Sequence, residues 1–535
     1  MRSGETNIRM AAGITVGTML RNQALCTPSD IAVVDGNREL TYKDFNLRVN
    51  RIANLLVKRG LKHGDRIAVC SENRAEYLEL VFAAAKLGAI LCALNWRLAL
   101  AELGYCVELV APKIAFASGR FHASLKGIYD SRQTLLYEFG SSYEQELDLS
   151  ASDEPEIAVD PEDGLLIIYT SGTTGRPKAA LMSHRAEIAR MLVNTLDFGL
   201  APGDAFVAWP PMFHMVSTEQ CIHVICLGGT AVIVDGFDLE KLVFEIENRK
   251  QWWLIVMPGM SEVLLSALRD RRIVPKGIKL VGVMADLLPR QQIAELTALL
   301  QAPFANTFGS TETGLPPASA GKIPVGTVPT SLAKQLNKLC EIRLVDADGN
   351  DVADDRPGEL AFRGPTLFSG YWNAPAVNDV EFRGGWFHMG DMFTRTSDGH
   401  LNFTDRAKYM IKSGGENVYP AEIERVLLAS PRVRDAVVVR RPDERWGEVP
   451  VAVVVPADIH LTSAEVIDIC RQELAGYKRP KDVLFVEESR LPRSVTGKIL
   501  RHEIEKWADI LLSKAAGADF SGGIKDVGRV APAKK

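Results

Sequence analysis

The chain has 535 residues, 47% of them apolar and 24% charged, with a formal charge of −5 at pH 7. That length exceeds a single ordinary hydrophobic core and implies two or more domains. The mildly acidic balance excludes a mainly electrostatic nucleic-acid binder, though not a local basic groove for a small phosphorylated ligand.

In chain order, the opening residues (Met1-Arg2-Ser3-Gly4-Glu5-Thr6) lack the apolar core of a signal peptide. Helical periodicity spans 42–59, with Leu47, Ile52, Leu55 and Leu56 on one face. Residues 66–70 read as a buried strand, 76–88 as a helix and 89–94 as a strand. The apolar stretch 77–94 is interrupted by Glu79 and Lys86, so no integral membrane contact is expected. Strands at 231–234 and 253–256 flank a helix at 239–248. This alternation, recurring to about residue 320, predicts an α/β domain with mainly parallel strands.

From about residue 340 short strands at 341–345, 358–363 and 401–403 surround turn residues and predict a small antiparallel β subdomain. Beyond 410 a helix at 421–429, strands at 433–440 and 449–455, and a helix at 463–474 predict a compact α+β domain. The main boundary is placed near Arg406 to Lys408, giving domains 1–407 and 408–520 and a flexible tail 521–535 rich in Gly, Ala and Lys. Eight cysteines without a C-x-x-C pair, most in apolar runs, favour buried free thiols in a reducing compartment over disulfides or zinc. The final residues are not a peroxisomal address, so a cytoplasmic location is expected.

The most informative stretch is Tyr169-Thr170-Ser171-Gly172-Thr173-Thr174-Gly175-Arg176-Pro177-Lys178, lying between two apolar runs. Its glycines let the backbone turn and expose N–H donors, four hydroxyls add further donors, and Lys178 adds positive charge. Together these suit a polyphosphate. A Walker loop is excluded, because its lysine spacing is missing and a strand follows the turn. Downstream stand Asn306-Thr307-Phe308-Gly309-Ser310-Thr311-Glu312, then Trp386 to Asp391, then 405–417 around Lys408 and the Gly414-Gly415 pair, and finally 492–501 with Gly497-Lys498.

In this order the segments resemble the signature motifs of the adenylate-forming superfamily, the AMP-dependent synthetases and ligases of the acyl-CoA synthetase type. The likeness runs from about Leu40 to Arg501. It implies a large N-terminal adenylation domain of parallel α/β subdomains plus a small β subdomain, followed by a small mobile α+β domain. It also implies ATP, magnesium and coenzyme A as co-substrates or cofactors, and a small carboxylic acid as partner, with a homodimer as a further expectation.

By the same likeness ATP is held by Thr170, Ser171, Gly172, Thr173, Thr174, Gly175, Lys178, Phe308, Gly309, Thr311, Asp391, Arg406 and Lys498, with Glu312 as the magnesium ligand. The chemistry is coherent: an aromatic face stacks on a purine, and a carboxylate holds a hard cation bridging phosphates. Phe308 replaces the Tyr usual in the family, so stacking survives and a hydroxyl contact is lost. Lys498, Thr311 and His214 carry the catalytic assignments, because a flexible ammonium stabilises charge building on the carboxylate oxygen and the α-phosphate. His214, Gly282, Val283, Met284, Phe308 and Gly309 are assigned to the acyl pocket. Glycine at 309, where acetate-specific relatives carry Trp, implies room for more than two carbons. Lys408 is the implied pivot, and Lys412, Ser413, Gly414, Gly415, Glu416 and Trp446 the thiol-channel residues.

The activity expected is therefore an acid–thiol ligase of fatty-acid metabolism or aryl-acid activation. It would form acyl-AMP and pyrophosphate from a short- or medium-chain or aryl acid, then acyl-CoA and AMP. The alternatives are loading of a separate carrier protein, a luciferase-like oxygenase, or a nucleotide-binding relative without catalysis.

Overall fold

The computed structural model describes residues 8, 11–132, 134–171, 177–257, 259–413, 416–443, 445–493, 499–516 and 526–527. It divides into two compact units, one comprising Met1–Ile342 with Phe362–Phe387, the other Arg343–Ala361 with His388–Lys535.

The first unit holds two large sheets. One has six strands in the order Leu135–Glu138, Ile114–Ala117, Arg66–Cys70, Ile90–Ala93, Gly164–Ser171 (β1) and Pro177–Ser183 (β2). All neighbours are parallel except β1 and β2, which form an antiparallel hairpin. The other has eight strands, parallel through its centre, with antiparallel edge strands Arg38–Thr41 and Lys322–Ile323. Strands such as Ile114–Ala117 are buried along their whole length, which is why they read as continuous apolar runs.

Two helices of this unit carry residues of the candidate site. Helix α1 (His184–Phe198) leaves β2 directly, with the Ser183 hydroxyl accepting from the Ala186 N–H as its N-cap. Helix α2 (Met215–Cys226) begins after His214.

The helix at Tyr42–Lys58 corrects one sequence expectation. Its buried stripe is Phe45, Val49, Ile52 and Leu56, while Leu47 stands 36% exposed. At 100° per residue Leu47 falls on the far side from Phe45, so it belongs to the solvent face. The charges that interrupt 77–94 are buried and paired: Glu79 accepts from Arg48 at 2.7 Å, and Lys86 reaches Glu154 at 2.7 Å.

Strand Phe387–Arg395 (β5), in the second unit from His388 onward, pairs antiparallel with Leu401–Arg406 (β6) in a four-stranded sheet. Ile411–Ser413, Val433–Asp443, Gly447–Pro456 and Asp482–Phe485 belong to a six-stranded sheet. One face packs on helices Pro420–Leu428 and Ser463–Glu473 through Val438, Ala452 and Val454; the other carries Val437, Val451 and Val453 towards Ile504. Alternation along Val433–Asp443 thus serves two cores. Within the expected tail, Asp526–Val527 pairs in parallel with Asp482–Phe485; its other residues lie outside those described.

Candidate active site

In the first unit, β1 and β2 pair antiparallel and bring Thr170 opposite Lys178 and Ser171 opposite Pro177. Gly172, Thr173, Thr174 and Gly175, and the side chain of Ser171, fall outside the described residues. Lys178 is directed to Glu381 at 3.2 Å and lies 4.5 Å from the centroid of the Tyr371 ring. The Tyr371 hydroxyl in turn donates to Glu312 Oε1 at 2.8 Å. Tyr371 therefore stands between the candidate phosphate lysine and the candidate magnesium ligand. Sequence reasoning missed both Tyr371 and Glu381. The available signal was the short run Ser369-Gly370-Tyr371-Trp372, whose Gly370 adopts φ +95°.

Thr311 and Glu312 sit in the tight turn between Gly309–Ser310 (β3) and Gly314–Pro317 (β4). A Cβ on Gly309 would lie 2.1 Å from Gly314 O. Backbone closeness therefore requires this glycine, whatever the size of the acyl group, and pocket length is not legible from it alone. The Phe308 N–H donates to Ser319 Oγ at 2.8 Å, and that hydroxyl donates back to Phe308 O at 3.0 Å. The Met284 N–H donates to Thr307 Oγ1 at 3.0 Å, so Gly282, Val283 and Met284 adjoin Thr307 and Phe308.

Gly282 has φ +72° and its Cβ position lies 2.1 Å from the Phe304 ring, so only glycine fits. Met284 itself takes φ +49°, a strained conformation for a non-glycine residue of the kind found at binding sites. Beneath this segment the buried Lys334, also missed from sequence, binds Asp286 and Asn306. Burial pulls its ammonium below the usual lysine range, and Asp286 offsets part of that.

His214 occupies the N-cap position of α2, its ring 4.5 Å from that of Phe213. Trp96 meets Phe213 edge-on at 5.7 Å and stacks on Phe121 at 5.4 Å, making an aromatic wall beside His214. Asn73 fixes the preceding segment, donating to Pro210 O at 2.8 Å and accepting from the Met212 N–H at 2.8 Å.

In the second unit Asp391 and Arg406 are cross-strand partners on β5 and β6, joined by an ion pair at 2.7 Å. Lys408, in a single turn at Ala407–Tyr409, lies 4.9 Å over the Tyr409 ring. The Lys412 N–H donates to Glu448 at 2.9 Å, and Ser413 pairs with both Glu416 and Gly447, the residue after the exposed Trp446. The structure thus gathers Lys412, Ser413, Glu416 and Trp446 at one sheet end. Gly414, Gly415 and Lys498 lie outside the described residues; the neighbouring Arg493 and Ile499 are bridge partners.

Among the described residues no group of three or more His, Cys, Asp or Glu side chains could enclose a metal ion. A lone carboxylate such as Glu312 suits magnesium of the kind that keeps water and takes its remaining ligands from substrate phosphates.

Residues 20–372 match the AMP-binding enzyme family, and residues 422–498 match its C-terminal domain. The chain belongs to the AMP-binding enzyme family. Indoleacetate–CoA ligase of Aromatoleum aromaticum is 34% identical over 490 residues, covering 90% of this chain and 95% of that one. MatB of Rhodopseudomonas palustris, solved with ATP bound, superposes with a TM-score of 0.82 at 26% identity, covering 93% of this chain and 99% of the other. O-succinylbenzoate CoA synthetase of Bacillus subtilis, solved with its acyl-adenylate intermediate, gives 0.77 at 26% identity, covering 91% and 97%. The superfamily, the parallel α/β fold and the carboxylate–CoA ligase class expected from the motifs agree with these matches.

This AMP-binding enzyme has eight free cysteines, of which only Cys26 is exposed. Burial pushes the thiols of Cys70 and Cys106 up to about 12, so neither suits a nucleophile. No helix among the described residues is long and apolar enough to cross a membrane.

Proposed function

We propose that this chain is an ATP-dependent acyl-CoA synthetase that converts a carboxylic acid to acyl-AMP and pyrophosphate, and then to acyl-CoA and AMP. The observation that carries the reading is the line Lys178–Tyr371–Glu312, in which an ammonium and a carboxylate are held around one tyrosine beside the hydroxyl-rich hairpin. An ammonium and a metal-binding carboxylate are what a polyphosphate needs on two sides.

In this reading Glu312 would hold magnesium, which neutralises phosphate charge when bound. Thr311, Lys178, Thr170, Ser171, Gly172, Thr173, Thr174 and Gly175 take the phosphates, Phe308 and Gly309 flank adenine, and Asp391 with Arg406 takes the ribose hydroxyls. The carboxylate of the acid attacks the α-phosphorus, and the pyrophosphate oxygen leaves with the electron pair. No protein nucleophile is required, so the enzyme's part is positioning and charge stabilisation. Lys498 supplies the ammonium for that step. Lys408 is the pivot between half-reactions, and Lys412, Ser413, Gly414, Gly415, Glu416 and Trp446 face the incoming thiol. The functional boundary is placed at 407/408.

The acid is placed against His214, Gly282, Val283 and Met284. The wall of Phe213, Trp96 and Phe121 supports an aryl acid, since ring-on-ring contact adds to simple burial. Buried free thiols support a cytoplasmic address. A homodimer belongs to the same proposal, and light scattering tests it. The decisive assay for substrate is a panel of aliphatic and aryl acids scored by coenzyme A-dependent AMP release. Arylacetic or arylacrylic acids are expected to lead; release with saturated medium-chain acids alone would overturn the aryl assignment.

A further inference from the structure

Helix α1 carries a buried arginine that no motif singles out. Arg190 is 2% exposed, and its guanidinium directs its donors to the turn that holds Thr311 and Glu312. Nη2 donates to Thr311 O at 3.1 Å and to Glu312 O at 3.0 Å, and Nε donates to Thr366 O at 2.9 Å. Nη1 contacts the buried carboxylate of Glu219 on α2.

Two further facts tie this side chain to the turn. A Cβ on Gly314, which has φ +78°, would lie 2.9 Å from Arg190 Cγ, Cδ and Nε, so the glycine opens the path by which the arginine runs under the hairpin. Glu312 O also accepts from the Phe368 N–H at 2.8 Å, and the Phe368 ring meets Tyr371 edge-on at 4.9 Å. The main chain of Glu312 is thus pinned from two sides while Tyr371 orients its carboxylate.

A buried ion pair is a poor way to fill space; apolar side chains of the same volume serve stability as well or better. What a guanidinium offers instead is a planar fork that fixes several carbonyls at once. We propose that Arg190, compensated by Glu219, is a positioning residue for the metal-assisted step, setting the main chain of Thr311 and Glu312 so that the nucleotide's magnesium finds its carboxylate. The proposal rests on the synthetase reading, and both are separable in one experiment.

Full-length wild type, Arg190→Lys and Glu219→Gln are titrated calorimetrically with α,β-methylene-ATP, which cannot be cleaved at the reacting bond. Each titration is run with magnesium and with EDTA. Arg190→Lys keeps the charge and loses the fork, and should weaken magnesium-nucleotide binding about tenfold. Metal-free binding should move less than twofold, as should the KM for the acid in a separate turnover assay with ATP. Glu219→Gln should shift in the same direction and also spare metal-free binding. Equal loss with and without magnesium in both variants means the pair is only structural and overturns the proposal, as does unchanged magnesium affinity in a folded Arg190→Lys protein. If Arg190→Lys does not fold, Glu219→Gln decides by the same two readings. Wild type without magnesium-dependent nucleotide binding overturns the synthetase reading, and the proposal falls with it.

Discussion

The carboxylate of Glu312 accepts a hydroxyl hydrogen bond from Tyr371, and that bond decides where its charge points. Hydrogen bonds to charged groups contribute about 1.5–3 kcal/mol, so their loss is measurable in metal affinity. Glu312→Gln and Tyr371→Phe should each raise the magnesium concentration for half-maximal pyrophosphate exchange by about tenfold or more. Magnesium titrations check both, and wild-type metal dependence in Glu312→Gln would remove the metal assignment. Lys498 is tested separately. Lys498→Ala should slow adenylation by about a hundredfold or more while leaving thioester formation from supplied acyl-AMP within about twofold. Equal loss in both half-reactions would contradict its role.

At the scale of the element, the hairpin β3–β4 shows what a sequence motif conceals. Gly309 is legible as a motif position, yet its reason is the Gly314 carbonyl 2.1 Å from the Cβ it lacks. Gly309→Ala should therefore lower the melting temperature by several degrees and cut adenylation for all acids alike, since a backbone clash is among the costly substitutions. A pure shift in chain-length preference at unchanged melting temperature would restore the pocket reading.

The long elements are legible because their periods are strong. The helix 239–248 and the strands 66–70, 341–345 and 358–363 stand where the pattern puts them. Leu47 is misplaced when apolar residues are grouped by sequence proximity, because angle around the helix decides which face they share. Tyr371, Glu381, Arg190 and Lys334 are not legible, because each acts through a partner more than 25 residues away in sequence. Only packing brings such pairs together.

For the molecule as a whole, two buried histidines make stability depend on acidity. Burial pulls His184 and His223 down from 6.5 to about 4. His184 Nδ1 accepts from the Val16 N–H at 3.3 Å, which fixes the neutral ring with its proton on Nε2. As pH falls through 6.5 the unfolded chain gains a proton that the folded chain refuses until about 4, so the contribution of each such histidine to stability declines across that window. The slope is about 1.4 kcal/mol per pH unit for each such histidine. His184→Asn keeps an acceptor for Val16 and removes the titration. It should flatten the fall of melting temperature between these values, and an unchanged slope would contradict the neutral burial.

In the proposed reaction an acid and ATP react before any thiol arrives. Isotope exchange between pyrophosphate and ATP, run with an aryl acid and magnesium but without coenzyme A, measures that step alone. Exchange should require the acid, be unaffected by the absence of coenzyme A, and give AMP on later addition of the thiol. Exchange absent with every acid tried, or ADP as the nucleotide product, would contradict it.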